Sequence, residues 1–441
     1  MTGQTALLIT PFASRRRARK FAVTGSDMPR LSVLLLLALI ASLTWPGRAQ
    51  AMPSPSSVAV AFRHLEGFKG DRDPAPAGSG VTRDIGSRVE LPARLEQSDS
   101  KKHTAAPERT LTKDTRLAFI QKAQVWTPTG VSEMDIRTGP GGTGAFQPNE
   151  TVRCDYVTRA QLPGSTRKFF CDVGDGDVVK VRYGKDNGEV EGGLLASRLL
   201  WALGFGADRV YPVQVICRGC TPDPWTRRAR VPGEQAFDLA TIERKPMGHD
   251  MSGEDKGGWS WTELRLIDER QGGAPRAQWD ALRLLAVLMQ HTDSKPVQQR
   301  LLCLPGGLTD SGCDRPFMMV HDVGVTFGHA NLFNRNGLGS VNFYEWSKTP
   351  IWRDPNACVG NMSKSFGGTL ADPRISEAGR QFLADLLVQL TDTQLRDLFE
   401  VARVDRRSRK PGSTEPPATV DEWVTAFKSK RDEIVTNRCK S

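Results

Sequence analysis

The sequence predicts an α+β protein with a strand-rich first part and a mostly helical second part. Three runs that alternate apolar and polar residues, "TVRCDYV", "RKFFCDV" and "VVKVRY", predict antiparallel strands within residues 151–183. The next segment, "EVEGGLLASRLLWALGF", has apolar residues at helical spacing, and "RVYPVQVIC" and "AFDLATIERK" return to the strand pattern. Three strands, a helix and two strands make a compact α+β unit.

The second half of the chain is dominated by predicted helices. Residues 277–290, "AQWDALRLLAVLMQ", are apolar almost all round, which predicts a fully buried helix. Short apolar runs at 301–304 and 317–320 predict strands, and further helices are predicted at 375–389, 391–403 and 420–436. Thr391 with Gln394, and Thr419 with Glu422, have the capping-box spacing that marks the start of a helix.

The N-terminal segment predicts export. "MPRLSVLLLLALIASLTWPGRAQA" has a basic start, an apolar run and the ending Ala49-Gln50-Ala51, so residues 1–51 are expected to be a signal peptide cleaved after Ala51, with Met28 as the possible start. An uncleaved anchor is the alternative, although the run is shorter than the ~20 residues of a spanning helix. Residues 52–114 are rich in Pro, Ser, Gly and charge, which predicts a flexible linker. We therefore expect a secreted or periplasmic protein with domains at 115–247 and 248–441.

Eight cysteines fit this expectation, because an even number in an oxidising compartment indicates disulfides. Eight cysteines allow 105 pairings. Pairing neighbours along the chain gives the expected set: Cys154–Cys171, Cys217–Cys220, Cys303–Cys313 and Cys358–Cys439. "CRGC" at 217–220 could also be half a zinc site or a redox pair. It lacks a second such motif and ends a strand-like run, so a structural bridge is favoured.

The net charge of +10 does not indicate a nucleic-acid partner. Seven of the 60 Lys and Arg residues and one of the 50 acidic residues lie in the first 51 positions, so the remaining chain carries only +4. It shows no basic stripe with interleaved aromatic residues, and no nucleic-acid partner is expected.

One motif follows the predicted buried helix directly. In "HTDSKPVQ" (291–298), His291, Asp293, Lys295 and Pro296 have the spacing of the protein-kinase catalytic loop H-R-D-x-K-P-x-N, with Gln298 in place of Asn. Later, "HDVG" follows a short apolar strand and resembles the metal-binding D-F-G, with Asp322 as its carboxylate. The chain thus resembles the protein-kinase-like superfamily over residues 150–330, and its departures resemble secreted Golgi-type and spore-coat kinases.

The resemblance implies a bilobal fold and a reaction. Residues 115–247 would form a small antiparallel β lobe with one helix, and 248–441 a mostly helical C-terminal lobe. The activity would be transfer of a phosphoryl group from ATP to a hydroxyl of a protein, a sugar or a small molecule, with Mg²⁺ or Mn²⁺.

The resemblance also assigns roles to residues of the two motifs. Asp293 would orient the acceptor hydroxyl, and Asp322 would hold the metal with help from the Gln298 carbonyl. Lys295 would grip the phosphates. His291 is expected to be a packing or hydrogen-bonding residue.

The strand-rich part supplies the remaining predicted site residues. Lys180, alternating inward with Val179 and Val181 on the third strand, would also grip the phosphates. Its partner would be a glutamate of the following helix; Glu191 is favoured because it shares a stripe with Leu195, and Glu189 is the rival.

Two glycine-containing segments compete for the phosphate loop. "RAQLPGST" (159–166) joins the first two strands, and its Gly164, Ser165 and Thr166 offer backbone and hydroxyl donors. "GPGGTG" (139–144) fits GxGxxG but precedes the first strand, so a turn is favoured there. "ERKP" ends the fifth strand, which places Glu243 where a kinase hinge would meet adenine.

Two other functions are weighed against kinase activity. A noncatalytic secreted pseudokinase-like binding protein is favoured by Gln298 in the Asn position. An iron oxygenase would use His291 and Asp293 with His321 or His329, but its triad lies on strands, whereas the residues before His291 are strongly helical.

Overall fold

The computed structural model describes residues 113–162, 164–251, 258–310, 312–328, 340–408 and 414–440. The predicted signal peptide and almost all of the predicted linker lie outside these residues, as does His329. The first described element is helix α1, Lys113–Lys122, with Phe119 and Ile120 buried. It begins two residues inside the stretch predicted to be linker.

Five strands close into a barrel in the order β1-β2-β3-β5-β4. They are β1 Glu150–Val157, β2 Lys168–Asp172, β3 Val178–Tyr183, β4 Arg209–Arg218 and β5 Glu234–Arg244. β1 pairs with β4 in parallel, and the other four pairings are antiparallel. All five strands were predicted from the alternation of apolar and polar residues.

The alternation along β3 separates a barrel core from an outer face. Val179, Val181 and Tyr183 are buried in the barrel core, so Lys180 and Arg182 lie on the opposite face of the strand. The prediction that Lys180 points inward is therefore wrong, because its side chain does not point into the barrel. It faces the elements that cover the outside, because apolar side chains fill the narrow interior.

Helix α2, Glu189–Ala202, follows β3 and contacts β3, β4 and β5. Nearly all of its side chains are buried. A Cβ atom on Gly192 would lie only 2.3 Å from the Gly324 carbonyl oxygen, so only glycine permits this approach. The glycines near the start of the helix therefore bring it against the "HDVG" segment.

The remaining described chain forms a second, larger core. Helix α3, Arg276–Met289, is buried as predicted and contacts a later helix, Glu377–Leu387, in that core. The helices after α3 are α4 Phe343–Lys348, α5 Glu377–Leu387, α6 Asp392–Val401 and α7 Val420–Thr436. Both predicted capping boxes are present, at the starts of α6 and α7.

Short strands and 3-10 helices connect these helices. A three-stranded sheet has the order β10-β7-β6, formed by β6 His249–Asp250, β7 Gln299–Cys303 and β10 Pro316–Val320. Two small pairs are β8 Leu308–Thr309 with β9 Gly312–Cys313, and β11 Trp352–Asp354 with β12 Val359–Gly360. The 3-10 helices are Val131–Glu133, Trp261–Leu266, Glu269–Gln271, Pro296–Gln298 and Val404–Arg406.

All eight cysteines are paired, and the pairing is the one expected from neighbours along the chain. The disulfides are Cys154–Cys171, Cys217–Cys220, Cys303–Cys313 and Cys358–Cys439. The first two lie in the barrel core. "CRGC" is therefore a bridge at the end of β4, as predicted.

None of the described helices combines the length and the apolar character that a bilayer-spanning segment requires.

Candidate functional site

The end of α3 positions the first group of predicted site residues. Gln290 adopts a left-handed conformation with φ of 52°, which ends the helix and turns the chain into the "HTDSKPVQ" loop. His291 N still donates to the Ala286 carbonyl at 2.9 Å, so the loop starts inside the core. The side chain of Asp293 is 8% exposed as a result.

Three side chains contact the Asp293 carboxylate. Oδ1 lies 2.7 Å from Lys295 Nζ and accepts a hydrogen bond from Ser365 Oγ at 2.8 Å. Oδ2 accepts from the Gln298 amide. The motif residues Asp293, Lys295 and Gln298 are thus brought together, as their spacing predicts.

Gln298 is oriented differently from its predicted role. Its Oε1 accepts a hydrogen bond from Lys295 N at 3.4 Å, while its amide nitrogen faces Asp293. The short 3-10 helix that begins at Pro296 turns the side chain back toward the loop. A contribution of Gln298 to a metal on Asp322 stays a prediction.

A later loop covers the same segment. The backbone nitrogens of Thr369 and Leu370 donate to Ser294 Oγ at 3.2 and 3.0 Å, and Ser365 N donates to the Thr292 carbonyl at 2.9 Å. Ser365 lies 72 residues from Asp293 in the chain. Its contact with Asp293 was not predicted, and no short motif around Ser365 signals it.

His291 packs in the core behind this loop. It is fully buried, and its ring centroid lies 6.0 Å from that of Trp261. Neither ring nitrogen has a hydrogen-bond partner among the described residues. Burial lowers the pKa of His291 to about 4, against the opposing effect of Asp293, so the imidazole is neutral at pH 7.

The second group surrounds Arg182 on the outer face of β3. We call it the Arg182 cluster; its members are Lys168, Lys180, Arg182, Glu189, Glu243 and Asp322. The Arg182 guanidinium contacts Glu189 and Asp322, and its Nε lies 3.3 Å from Glu243. Its side chain is only 4% exposed.

The cluster is held together by opposite charges in a buried place. Burial lowers the pKa of Arg182, but Asp322, Glu189 and Glu243 outweigh this effect and raise it above its usual value. Burial raises the pKa of Asp322, yet Arg182 and Lys180 hold it well below its usual range. The guanidinium and the Asp322 carboxylate are therefore both charged at neutral pH.

Lys180 has a partner other than the predicted one. In the β3–β5 ladder Lys180 stands directly opposite Glu243, and the two side chains form an ion pair. Directly opposed residues of opposite charge attract each other across an antiparallel pair. Burial raises the pKa of Glu243, but Lys180 and Arg182 lower it by more, to about 2. The predicted hinge residue is thus part of the charged cluster.

The predicted pairing of Lys180 with Glu191 is wrong. Glu191 is buried and lies 3.7 Å from Arg407 Nη1, and burial raises its pKa. Glu189, the rival, contacts Arg182. Two residues along a helix differ in direction by about 200°, so only one of the two glutamates can face β3.

Asp322 joins the two groups. It follows β10 with a left-handed φ of 50°, a conformation in which Asp is enriched and which often occurs at functional sites. One residue earlier, His321 N donates to the main-chain carbonyl of Gln298 at 2.8 Å. A Cβ atom on Gly324 would lie 2.8 Å from Glu189 Cβ, so the glycine admits α2 to this place.

The "RAQLPGST" segment (159–166) between β1 and β2 reaches the cluster through its last residue. Thr166 Oγ1 donates to Glu189 at 2.7 Å and accepts from Arg182 Nη1 at 3.0 Å. Gly164 has a φ of 80°, and a Cβ atom there would lie 2.8 Å from Lys168 Nζ. Ser165 is exposed. Binding of phosphate by these three residues stays a prediction.

The "GPGGTG" segment forms a turn before β1, as expected. Its carbonyl oxygens at Gly141 and Thr143 both lie 3.2 Å from Arg209 Nη1, and that of Pro140 accepts from Tyr211 Oη at 2.8 Å. The turn thus presents carbonyl oxygens to hydrogen-bond donors of the barrel.

Lys168 was not among the residues predicted for the site. It is 4% exposed and stands opposite Arg182 in the β2–β3 ladder. Burial and Arg182 lower its pKa to about 8, against Glu189 and Asp322. A lysine predicted to face an arginine across two strands could have signalled a nearby group of carboxylates, because like charges directly opposite are unfavourable.

Comparisons with known proteins identify no family. No protein-family model matches the chain, and no curated protein matches it. Among solved structures the chain is similar to the Helicobacter pylori proinflammatory kinase CtkA, with 9% sequence identity over 66% of this chain and 95% of that chain. The TM-score of 0.34 is too low for this likeness to support a function.

Proposed function

We propose that the protein is an exported kinase-like phosphotransferase that moves a phosphoryl group from ATP to a hydroxyl acceptor. The supporting observation is that Asp293 with Lys295, and Asp322 with Arg182, lie in two charged groups joined by the hydrogen bond from His321 N to the Gln298 carbonyl. Phosphoryl transfer depends on positioning and on charge stabilisation more than on covalent chemistry. A site that holds a buried carboxylate beside several fixed cations suits that requirement.

Asp293 is assigned the role of proton acceptor. Its Oδ1 already accepts a hydrogen bond from the Ser365 hydroxyl at 2.8 Å, which falls within the range needed for proton transfer. An acceptor hydroxyl placed in the same way would lose its proton to Asp293 as its oxygen bonds to the γ-phosphorus of ATP and the bond from that phosphorus to the leaving ADP oxygen breaks. Lys295, 2.7 Å away, keeps the carboxylate in position and adds positive charge.

Lys168, Lys180 and Arg182 supply the positive charge for the phosphates. All three project from adjacent strands of the barrel, and Lys180 retains 17% exposure. We assign the ion pair between strand and helix to Arg182 with Glu189, in place of Lys180 with Glu191. This pair orients α2, while Lys180, which is paired with Glu243, would turn to the phosphates when nucleotide binds.

The donor set fits a divalent metal. The Asp322 side chain is 30% exposed, and its carboxylate oxygen and the amide oxygen of Gln298 are hard donors of the kind that Mg²⁺ and Mn²⁺ prefer. These two residues would hold the ion once the Gln298 side chain turns away from Lys295 N. When bound, it neutralises charge on the phosphates.

The architecture and the cysteines agree with this proposal. The proposal assigns the barrel, which has its own core, to the small lobe, and the larger core around α3, which also takes in residues of α1 and α2, to the C-terminal lobe. Four disulfides support export, because such bonds persist mainly in oxidising compartments.

Thermal unfolding with ATP and Mg²⁺ or Mn²⁺ tests the nucleotide site. A ligand at about 100 times its Kd adds about 2.7 kcal/mol to the free energy of unfolding. We expect a metal-dependent rise in Tm that Asp322→Asn abolishes. Asp432→Asn, which changes an exposed aspartate on α7, is the matched control and should behave as wild type.

Labelled ATP then tests transfer. Asp293→Asn should retain the rise in Tm but transfer phosphoryl groups, to an acceptor or to water, at least ~100-fold more slowly, because general base catalysis contributes that much or more. If wild type shows no shift with ATP at millimolar concentration, the kinase proposal is wrong.

A second candidate function is noncatalytic binding. The Gln298 amide and the Ser365 hydroxyl already contact the two oxygens of Asp293, which would block its role as a base if they were retained. ATP binding by wild type without any transfer would favour this candidate.

A further inference from the structure

We propose that Asp208, Glu243 and His321 form a site for a divalent transition-metal ion such as Zn²⁺, which binds without nucleotide. The site is separate from the proposed metal position at Asp322, and it shares Glu243 with the Arg182 cluster. Each residue offers one donor atom, and the three donors lie within 4.8 Å of one another. One imidazole with carboxylates is a donor set that Zn²⁺ uses in proteins. Zn²⁺ binds nitrogen and oxygen donors at about 2.0–2.2 Å.

The backbone brings the three residues together from separate elements. Ala207 and Val320 form an isolated parallel bridge, and Val320 N donates to the Gly206 carbonyl at 3.1 Å, so Asp208 and His321 follow side by side. In the β4–β5 ladder, Glu243 stands opposite Val210, two residues beyond Asp208. Glu243 is thus placed by a strand ladder, and Asp208 and His321 by the isolated bridge that immediately precedes them.

Asp208 lacks a partner that would justify its burial. Its side chain is 2% exposed, and neither carboxylate oxygen has a hydrogen-bond partner among the described residues. His321 Nδ1 faces Asp208 Oδ2 closely enough to form an ion pair, but the two atoms lack hydrogen-bond geometry. A carboxylate buried in this way is costly unless it is paired or coordinates a metal.

The charge of the surroundings also favours a cation. The Arg182 cluster contains three basic side chains and three carboxylates, so Asp208 adds a further negative charge. A small cavity beside Asp208 is lined by four carboxylates, Asp208, Glu189, Glu243 and Asp322, and by Arg182 as the single cation among the described residues. A bound ion would both balance this charge and occupy the unpartnered oxygens of Asp208.

Zinc binding by the full chain, without nucleotide, tests the site. The protein is stripped with a chelator and dialysed against Zn²⁺ of known free concentration, and the bound metal is measured. We expect one tightly bound equivalent in wild type and a loss of at least tenfold in affinity in Asp208→Asn. Asp432→Asn is the control for exposed carboxylates and should bind as wild type does.

Two further variants distinguish this site from the nucleotide site and from a folding defect. If Asp208→Asn does not fold, His321→Gln, which removes the imidazole donor, should show the same loss of zinc. Asp322→Asn should keep the zinc, because Asp322 belongs to the nucleotide site of the proposed function. Failure of that function would leave zinc binding unchanged.

The proposal would be overturned by several results. Wild type that retains no zinc after dialysis would show that the three donors do not form a metal site. Equal affinity in Asp208→Asn or His321→Gln would show that zinc binds elsewhere. Loss of zinc in Asp322→Asn would show that the site is not separate.

Discussion

The Cys358–Cys439 disulfide should contribute more to the free energy of unfolding than Cys303–Cys313, the other disulfide of the second core. It joins residues 81 apart, whereas Cys303–Cys313 joins residues 10 apart. In the chain-entropy treatment, the two bridges reduce the entropy of the unfolded chain by amounts worth ~4.5 and ~2.7 kcal/mol at 25 °C. We expect a difference of ~2 kcal/mol between the two double cysteine-to-alanine variants.

Urea unfolding of wild type and both double variants measures this difference. The free energy of unfolding is extrapolated to water, and the slope with urea shows whether the unfolded state has expanded. The long bridge holds a C-terminal segment that also makes two backbone hydrogen bonds. Cys439 N donates to the Glu377 carboxylate at 2.9 Å, and Lys440 N donates to the Asn356 carbonyl at 2.9 Å. These contacts should keep the segment in place in the variant, so that unfolding remains one transition.

Equal losses in the two variants would refute the reasoning, and so would a larger loss for the short bridge. Either result would mean that the bridges act through packing in the folded state. A separate early transition of the C-terminal segment would mean that the long bridge secures only that segment.

Three further predictions concern buried charged and titratable residues. Burial lowers the pKa of His291 to about 4, so between pH 6.5 and pH 4 the unfolded chain binds a proton at this residue that the folded chain does not. The free energy of unfolding of wild type, measured with urea, should therefore fall by ~2 kcal/mol from pH 7 to pH 5 relative to that of His291→Leu. Burial likewise lowers the pKa of Lys430 to about 8, so the folded protein no longer carries a buried charge at this residue once the pH rises above 8. From pH 7 to pH 9.5 the free energy of unfolding of wild type should rise by ~2 kcal/mol relative to that of Lys430→Met. If the difference between the two proteins stays the same, the lowered pKa is wrong. If Arg182 and Glu189 orient α2 for the proposed nucleotide site, Glu189→Gln should weaken ATP binding at least tenfold in calorimetry, whereas Glu191→Gln should not. Weaker binding by Glu191→Gln alone would instead favour the pairing of Lys180 with Glu191 that the sequence predicted.

Local patterns in the sequence predicted the α+β class and the elements that position the candidate site. The strand alternation, the apolar helix α3 and the capping boxes act over a few residues, so no tertiary information is needed to recognise them. The neighbour pairing of cysteines is confirmed for a related reason, since adjacent strands place Cys154 and Cys171 close together. The grouping of Asp293, Lys295 and Gln298 also follows from spacing within one loop.

Contacts that depend on which elements pack together were not predictable in this way. The choice between Glu189 and Glu191 depends on the face that α2 turns toward β3, and both residues lie among apolar neighbours. The ion pair of Lys180 with Glu243 depends on the register of two strands separated by α2 and β4. The approach of His321 to Asp208 depends on a single backbone bridge between Ala207 and Val320, which no local pattern indicates.

The closed barrel limits how this protein could vary over evolution. Each of the five strands is paired on both sides, so β3 has no free edge along which to shift. A shift by one residue would turn Lys180 and Arg182 into the apolar interior and bring Val179 and Val181 to the outer face. Closure would pass that error to every neighbouring ladder. Insertions and deletions should therefore be tolerated in the connections between strands but not within them, and the charged residues of β3 would remain fixed against α2 while the loops around them diverge.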